Sequence, residues 1–431
     1  MTHVPVVILG GGYAALGAAD ALGRAQTRSL ILEAAPSAGG LASCVQVGSV
    51  LVEGTYHHIK SHETTLIELI KDLGLGDKLI WRDTRMGFFT EGKNYPFSTP
   101  RDLLGFKPFN LVDKFRFGLG VVRTKYSNSE SVDGLNARDW VMRLYGQRVH
   151  DRMLGPMLHN KFGLPSSEIS AAFLHGRIRG IAKTKANTGS GELMGYLSGS
   201  LQPLTDRLEA RVRKHAEIRY NSPIVEILSE TDHFTIRTAS GDIVTADRVI
   251  NTLPLEVFEK IPRNFPFHSE VEYQSAICGI FLIREKLTDL YWTNIIDERV
   301  PFKVLVNQSK LDDYPGTVVY CGNYLRSTAE LYQQDEAEIT RRYLAGLRLI
   351  FGDVTVEASR VFKARYATPI YDRHFAARTT GLQTCVPGMK FAGNIAIYPH
   401  GRTVSNVLKS GHEAAAAVLA ELTPSPVSPS A

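Results

Sequence analysis

The chain alternates apolar blocks with glycine breaks from its start. Residues 4–9 form an apolar run, Gly10 to Gly12 interrupt it, residues 13–25 are alanine-rich at helical spacing, and residues 29–32 resume the apolar run. Short apolar runs on either side of a glycine turn and a helix predict a βαβ unit. Leu66, Leu69, Ile70 and Leu73 then recur at helical spacing with Gly74 behind them, which predicts a capped helix. Residues 81–108 are aromatic and proline-rich with neither period, and predict a hairpin and loop rather than a second core. Residues 111–181 read as mostly helical and 201–215 as a further amphipathic helix. Alternation of period two predicts strands over 217–227, 233–238 and 243–252, with Gly241 and Asp242 in the turn between the last two. More strands are expected at 276–284, 303–308, 317–324 and 361–366. A strand at 390–393, a glycine and an alanine-rich helix over 403–422 close the pattern, and the Pro/Ser-rich residues 423–431 read as a frayed tail.

At 431 residues the chain exceeds one core, and about 150 residues per domain suggests two or three units. The 49 basic and 44 acidic residues are interspersed for a net charge of +5, which gives no support to a nucleic-acid partner. The same charge is compatible with a local basic pocket for an anionic small molecule. Cys44, Cys278, Cys321 and Cys385 are too far apart for a metal motif, so no metal site is expected and the thiols read as reduced. No run approaches the roughly 18 apolar residues of a spanning helix, and the start lacks the pattern of a secretory leader. The expected location is the cytoplasm; oligomeric state is left open.

The sharpest chemical signal is Gly10-Gly11-Gly12-Tyr13-Ala14-Ala15, a G-x-G-x-x-A turn between strand and helix. Gly10 permits the tight turn, Gly12 lets the backbone approach a pyrophosphate, and Ala15 permits close helix–strand packing. The free N–H groups of the helix start, from Tyr13 and Ala14 onward, suit the anion. Glu33 ends the next strand, 23 positions after Gly10, where a carboxylate accepts hydrogen bonds from ribose hydroxyls.

Glu33 is followed by Gly39-Gly40-Leu41-Ala42-Ser43. A strand-terminal Glu with a G-G-x-x-S element resembles the extended signature of the flavoproteins that include amine oxidases, protoporphyrinogen oxidases, phytoene desaturases and UDP-galactopyranose mutases. Leu41 stands where that pattern usually has Arg. The C-terminal stretch Phe391-Ala392-Gly393-Asn394, followed by Arg402-Thr403-Val404-Ser405, resembles the same family's flavin-facing turn and helix, with Asn394 in place of the frequent Asp or Glu. Residues 220–227 resemble the strand whose backbone, at Ile224 or Val225, meets the adenine, and residues 157–163, 168–172, 176–178, 364–369 and 396–399 point to the protoporphyrinogen-oxidase-like members.

The resemblance implies an α/β fold: a Rossmann-like FAD-binding domain interleaved with a substrate domain containing a mixed β-sheet and a helical subdomain. The expected division is 1–80, 200–255 and 385–422 for FAD against 81–199 and 256–384 for substrate, with the helical part near 111–185. It also implies an FAD-dependent oxidoreductase that removes hydride from a small molecule. One alternative is a flavoenzyme like UDP-galactopyranose mutase, acting on a sugar nucleotide without net redox; another is a flavin-binding protein without turnover. On the reacting face the resemblance suggests His57 or His58 against the flavin and Lys303 near it. Arg402 is the foremost anion clamp, with Arg85, Arg177 and Arg365 as further ones because a guanidinium grips carboxylate or phosphate bidentately. Tyr366 and Tyr398 are candidate walls of the substrate pocket.

Overall fold

The computed structural model describes residues 2–128, 130–132, 134–184 and 191–422; the tail expected at 423–431 lies outside them. Its first sheet has the order Ala216–Arg219, Ser29–Leu32, Thr2–Leu9, Ile243–Asn251, Phe234–Thr238, Ile224–Ser229. The first four strands run parallel, and the last two join by antiparallel pairings, Phe234–Thr238 running against its neighbours on both sides. Phe234–Thr238 covers only residues 243–246 of its neighbour, and Met389–Phe391 takes over alongside residues 249–251. Val6 to Leu9 are wholly inaccessible, as expected for a parallel strand covered on both faces.

Two helices, Tyr13–Arg24 and Val404–Leu422, cross on this sheet at glycines. A Cβ at Gly17 would lie 3.0 Å from the Leu408 carbonyl oxygen, and one at Gly411 would fall on the carbonyl oxygen of Ala14. This backbone-to-backbone contact places the start of the last helix beside the start of the first. Gly411→Ala is therefore expected to lower stability by about 1–3 kcal/mol through overpacking, read as a lower Tm.

The second sheet has the order Val356–Pro369, Tyr273–Ile283, Thr317–Leu325, Val304–Asn307, Trp292–Ile295, Met86–Thr90, Lys93–Pro96. Tyr273–Ile283 is buried at every position between its two antiparallel partners. Helix Glu336–Phe351 covers one face, with Tyr343 and Leu347 packed on Ile277 and Phe281. Leu111–Tyr126, Ala137–Leu144, Gly155–Phe162 and Ala171–Thr184 form a helical layer beside it.

The structure departs from the sequence expectations in several places. Residues 217–227 are two strands on opposite edges of the first sheet, because Asn221 is left-handed (φ 50°) and Pro223 has no N–H to give. The hairpin expected within 81–108 is present, yet its aromatics do build core. Phe97 and Phe106 meet edge to face at 4.9 Å, and Phe88 and Phe109 pack on Phe106. Strands Glu192–Leu197 and Trp292–Ile295 and helix Glu336–Phe351 were not anticipated.

Candidate functional site

A cavity of about 990 Å³ opens from the glycine turn after Thr2–Leu9 to the face of the second sheet, at the upper end of the roughly 300–1,000 Å³ usual for ligand sites. Gly10 is left-handed (φ 97°), and a Cβ there would lie 2.7 Å from Thr252 Oγ1. Gly12 is extended (φ −76°, ψ −179°) and caps the helix with no side-chain bond to its first N–H groups. A Cβ on Gly12 would meet nothing within 4 Å; it would enter the cavity. The Gly39 N–H donates to the Gly11 carbonyl at 3.0 Å, and Gly40 lies against Gly12. The two glycine elements thus form one backbone cradle. The Glu33 carboxylate accepts the N–H of Gly11 and, at 2.7 Å, that of Ala35, which ties the turn to the end of Ser29–Leu32. An open glycine wall, uncapped helix N–H groups and a carboxylate at the strand end fit the ADP half of FAD.

Tyr13, Ala14, Leu41, Ala42, Gly393, Asn394, Thr403, Val404 and Ser405 also line the cavity. The Tyr13 hydroxyl lies 2.7 Å from Thr205 Oγ1. The Gly393 N–H donates to Ser410 Oγ at 2.9 Å, and Ser405 Oγ accepts the Leu66 N–H at 3.3 Å, which fixes the start of Val404–Leu422 in the wall. Four residues expected at the cofactor are not among those lining the cavity. Ala15 is fully buried under the turn as helix–strand packing. Ser43 closes the short turn Gly40–Ala42 through its backbone. Ile224 and Val225 begin an edge strand whose lead-in meets the Glu33 region through the Ser222 N–H, 2.9 Å from the Glu33 carbonyl, and the Asn221 N–H, 3.1 Å from the Ala35 carbonyl, and Val225 points to solvent.

On the reacting side, His57 and His58 both line the cavity. Burial pushes His57 down to about 4 and His58 down to about 3, so both rings are neutral at pH 7. His57 Nδ1 is 2.7 Å from the Thr55 carbonyl; a carbonyl only accepts, so Nδ1 carries the proton and Nε2 is left as an acceptor. His58 Nδ1 is 3.0 Å from the Tyr291 hydroxyl. Lys303 is also in the wall, its Nζ 3.4 Å from the Val300 carbonyl, with burial lowering its affinity for a proton.

Arg402 donates from Nη2 to the Tyr324 hydroxyl at 2.9 Å and from Nη1 to the Ala367 carbonyl, while its Nε has no partner. The Tyr324 hydroxyl is 3.1 Å from that of Tyr56. Arg177, Arg365 and Tyr366 line the same cavity. Arg85 and Tyr398 do not. Arg85 is held 3.0 Å from Asp102, the residue that completes the cap of helix Pro100–Gly105, in a separate shallow recess. The Tyr398 ring packs between Tyr371 and Phe375, and its hydroxyl is 2.6 Å from Ser170 Oγ.

The sequence reading passed over Lys161, Glu63, Tyr56 and Tyr324. Lys161 Nζ sits 5.2 Å from the ring centre of Tyr324 and 5.4 Å from that of Phe173. Burial, then the charges of Arg402 and Arg177, hold its amine well below the usual lysine range. Its signal was in the sequence: Leu154, Met157, Leu158 and Lys161 share one helical face, so this lysine occupies an otherwise apolar stripe. Glu63 is buried with neither carboxylate oxygen hydrogen-bonded, and burial, opposed by Lys60, pushes it up to about 7. Eight lysines and arginines line the cavity against three glutamates, a surplus equal to the net charge of the whole chain. Among the described residues no helix is long and apolar enough to cross a membrane, and no His, Cys, Asp or Glu cluster suits a metal ion.

The chain matches the model of the flavin-containing amine oxidoreductases over residues 16–419. Flavin-containing amine oxidase A of Canis lupus familiaris is 22% identical over 79% of this chain and 68% of its own length. The corresponding Equus caballus enzyme is 35% identical over 71% of this chain and 62% of its own length. Among solved structures, a protoporphyrinogen oxidase candidate from Exiguobacterium sp. 255-15 superposes with a TM-score of 0.78 at 17% identity, covering 97% of this chain and 99% of that one. Reduced UDP-galactopyranose mutase does so with 0.78 at 14% identity, over 98% and 96%. The two solved structures share the fold alone, whereas the family match spans nearly the whole chain, from just after the first glycine turn to within the last helix. The chain belongs to the flavin-containing amine oxidoreductases, a family of FAD-dependent oxidoreductases.

Proposed function

We propose that this chain oxidises a small molecule bearing a carboxylate or phosphate, by removal of hydride from one of its C–H bonds. Residues 1–80, 200–255 and 385–422 hold the cofactor in this reading, and 81–199 with 256–384 shape the substrate side. Bound FAD supplies the hydride acceptor. The observation that carries the reading is the cluster of Lys161, Arg177, Arg365 and Arg402 on the cavity wall with no carboxylate ion-paired to any of them among the described residues. Such a wall repels a small alkylammonium and attracts an anion. An anion that neutralises Arg402 and Arg177 also removes the charges that depress Lys161. Anion binding and proton uptake at Lys161 Nζ are then coupled. Neutral His57, through Nε2, and Glu63, titrating near neutrality, are the other groups able to hold a proton inside the cavity.

The test does not require the natural substrate. Simple carboxylates and phosphate should perturb the visible spectrum of the bound flavin, and Lys161→Met should weaken that binding about tenfold or more, with FAD retained. Perturbation by alkylamines but not by anions would overturn the reading. The same cations suit the diphosphate of a sugar nucleotide, so a mutase-like reaction without net redox is the second reading. Dithionite separates the two: it halts turnover that needs oxidised flavin and switches on turnover that needs reduced flavin.

A further inference from the structure

Helix Leu111–Tyr126 turns a continuous apolar stripe outward. Leu111, Phe115 and Tyr126 are 76%, 73% and 78% exposed, and Val112, Leu119 and Val122 are exposed beside them. The inward face packs Phe117 and Val121 on the core and is otherwise small and polar, so the helix carries a second apolar side that looks outward. A Cβ on Gly120 would run into the Tyr145 ring, Thr124 Oγ1 lies 2.8 Å from the Tyr145 hydroxyl, and the helix's sole acid, Asp113, is buried 3.3 Å from Arg148. At about 100° per residue the exposed side chains fall on one stripe. Arg116 and Arg123 run along one border of it, and Lys114 and Lys125 along the other. Leu104, 66% exposed, lies close by, its carbonyl 2.6 Å from Lys114 Nζ.

An outward apolar stripe of this size needs a cover. Two copies of the chain meeting stripe to stripe would bring cationic border against cationic border, with no acid on either helix face to pair with them. An anionic bilayer satisfies both parts of the pattern: the apolar stripe enters the headgroup boundary and the lysines and arginines meet lipid phosphates. We propose that this face docks on the surface of an anionic lipid bilayer. Helix Ala171–Thr184 packs directly behind it, with His175 Nε2 2.8 Å from Ser127 Oγ, and contributes Arg177 to the cavity wall. A docked molecule would hold its cavity one helix away from the lipid.

The test is sedimentation of the FAD-loaded chain with vesicles of phosphatidylcholine alone or mixed with phosphatidylglycerol. Wild type should pellet with the mixed vesicles, and less so as salt rises. The double substitution Phe115→Asp, Val122→Asp should cut that partitioning roughly a hundredfold. Retained FAD absorbance reports that this variant is folded. Arg123→Glu with Lys125→Glu should lower it about tenfold and flatten the salt dependence. Wild type left in the supernatant with anionic vesicles, or apolar-to-aspartate variants that pellet as wild type does, would overturn the proposal. A wild-type dimer that Phe115→Asp converts to monomer, without vesicle binding, would assign the face to a second copy instead.

Discussion

Gly12→Val is expected to abolish FAD binding while leaving the fold in place. The extended backbone of Gly12 is open to any residue, and its missing Cβ faces open cavity, so a valine there strains nothing inside the protein. The cost to the fold is confined to a poorer helix cap, about 1 kcal/mol. In the holoprotein the same side chain would occupy the place where a pyrophosphate meets the backbone and the first helix N–H groups. Titration with FAD should therefore show a loss of affinity of roughly a hundredfold or more, about 3 kcal/mol, with circular dichroism close to that of the wild-type apoprotein. Gly10→Ala is the informative contrast. Its positive φ and the nearby Thr252 hydroxyl make that change a lesion of the turn itself, so it should lower Tm as well. Normal FAD affinity in Gly12→Val would remove the cradle from the cofactor site.

The second large effect is expected from Arg402→Ala: turnover falls by about two to three orders of magnitude, the range for loss of a preorganised electrostatic group, and FAD stays bound. Arg402 bridges Tyr324 and the Ala367 carbonyl and still has an Nε without a partner, so its removal leaves Tyr324 without that donor and the cavity without a fixed positive charge on its wall. It also removes one of the two cations that depress Lys161. The lysine should then take up a proton at higher pH, and the pH profile of any residual activity should shift upward. Arg402→Lys keeps the charge but not the planar fork and should recover part of the loss. A fully active Arg402→Ala enzyme would make this arginine a structural clip and would move the anion site to Arg177 and Arg365.

What was legible in the sequence is what local chemistry dictates. The run from Val6 to Leu9, the turn at Gly10 to Gly12 and Glu33 constrain one another within a few dozen residues. The last strand and helix repeat a strand–turn–helix arrangement around Gly393. The rest depends on which distant segments meet. Arg85 had the right side chain for an anion clamp, but Asp102 captures it outside the cavity. Tyr398 stands near the flavin-side turn in sequence, yet Tyr371 and Phe375 draw its ring into the core. Lys161 was marked only by its place in an apolar helical stripe, and the burial that gives Glu63 its character is reported by no short pattern. Asn221 and Pro223 carried the signal that splits residues 217–227, but period-two alternation across them masked it. For residues 111–126 the amphipathic period was readable, but only the packing of Gly120 and Thr124 against Tyr145 fixes which face looks outward.

The most direct test of the account is anaerobic mixing of the FAD-loaded protein with porphyrinogens, anionic 2-hydroxy or amino acids, sugar nucleotides and simple alkylamines, followed at the flavin band near ~450 nm. The account predicts that a compound bearing a carboxylate or phosphate bleaches the band and that an added oxidant restores it. Bleaching by uncharged or cationic amines alone, or turnover of a sugar nucleotide that appears only after dithionite, would contradict it.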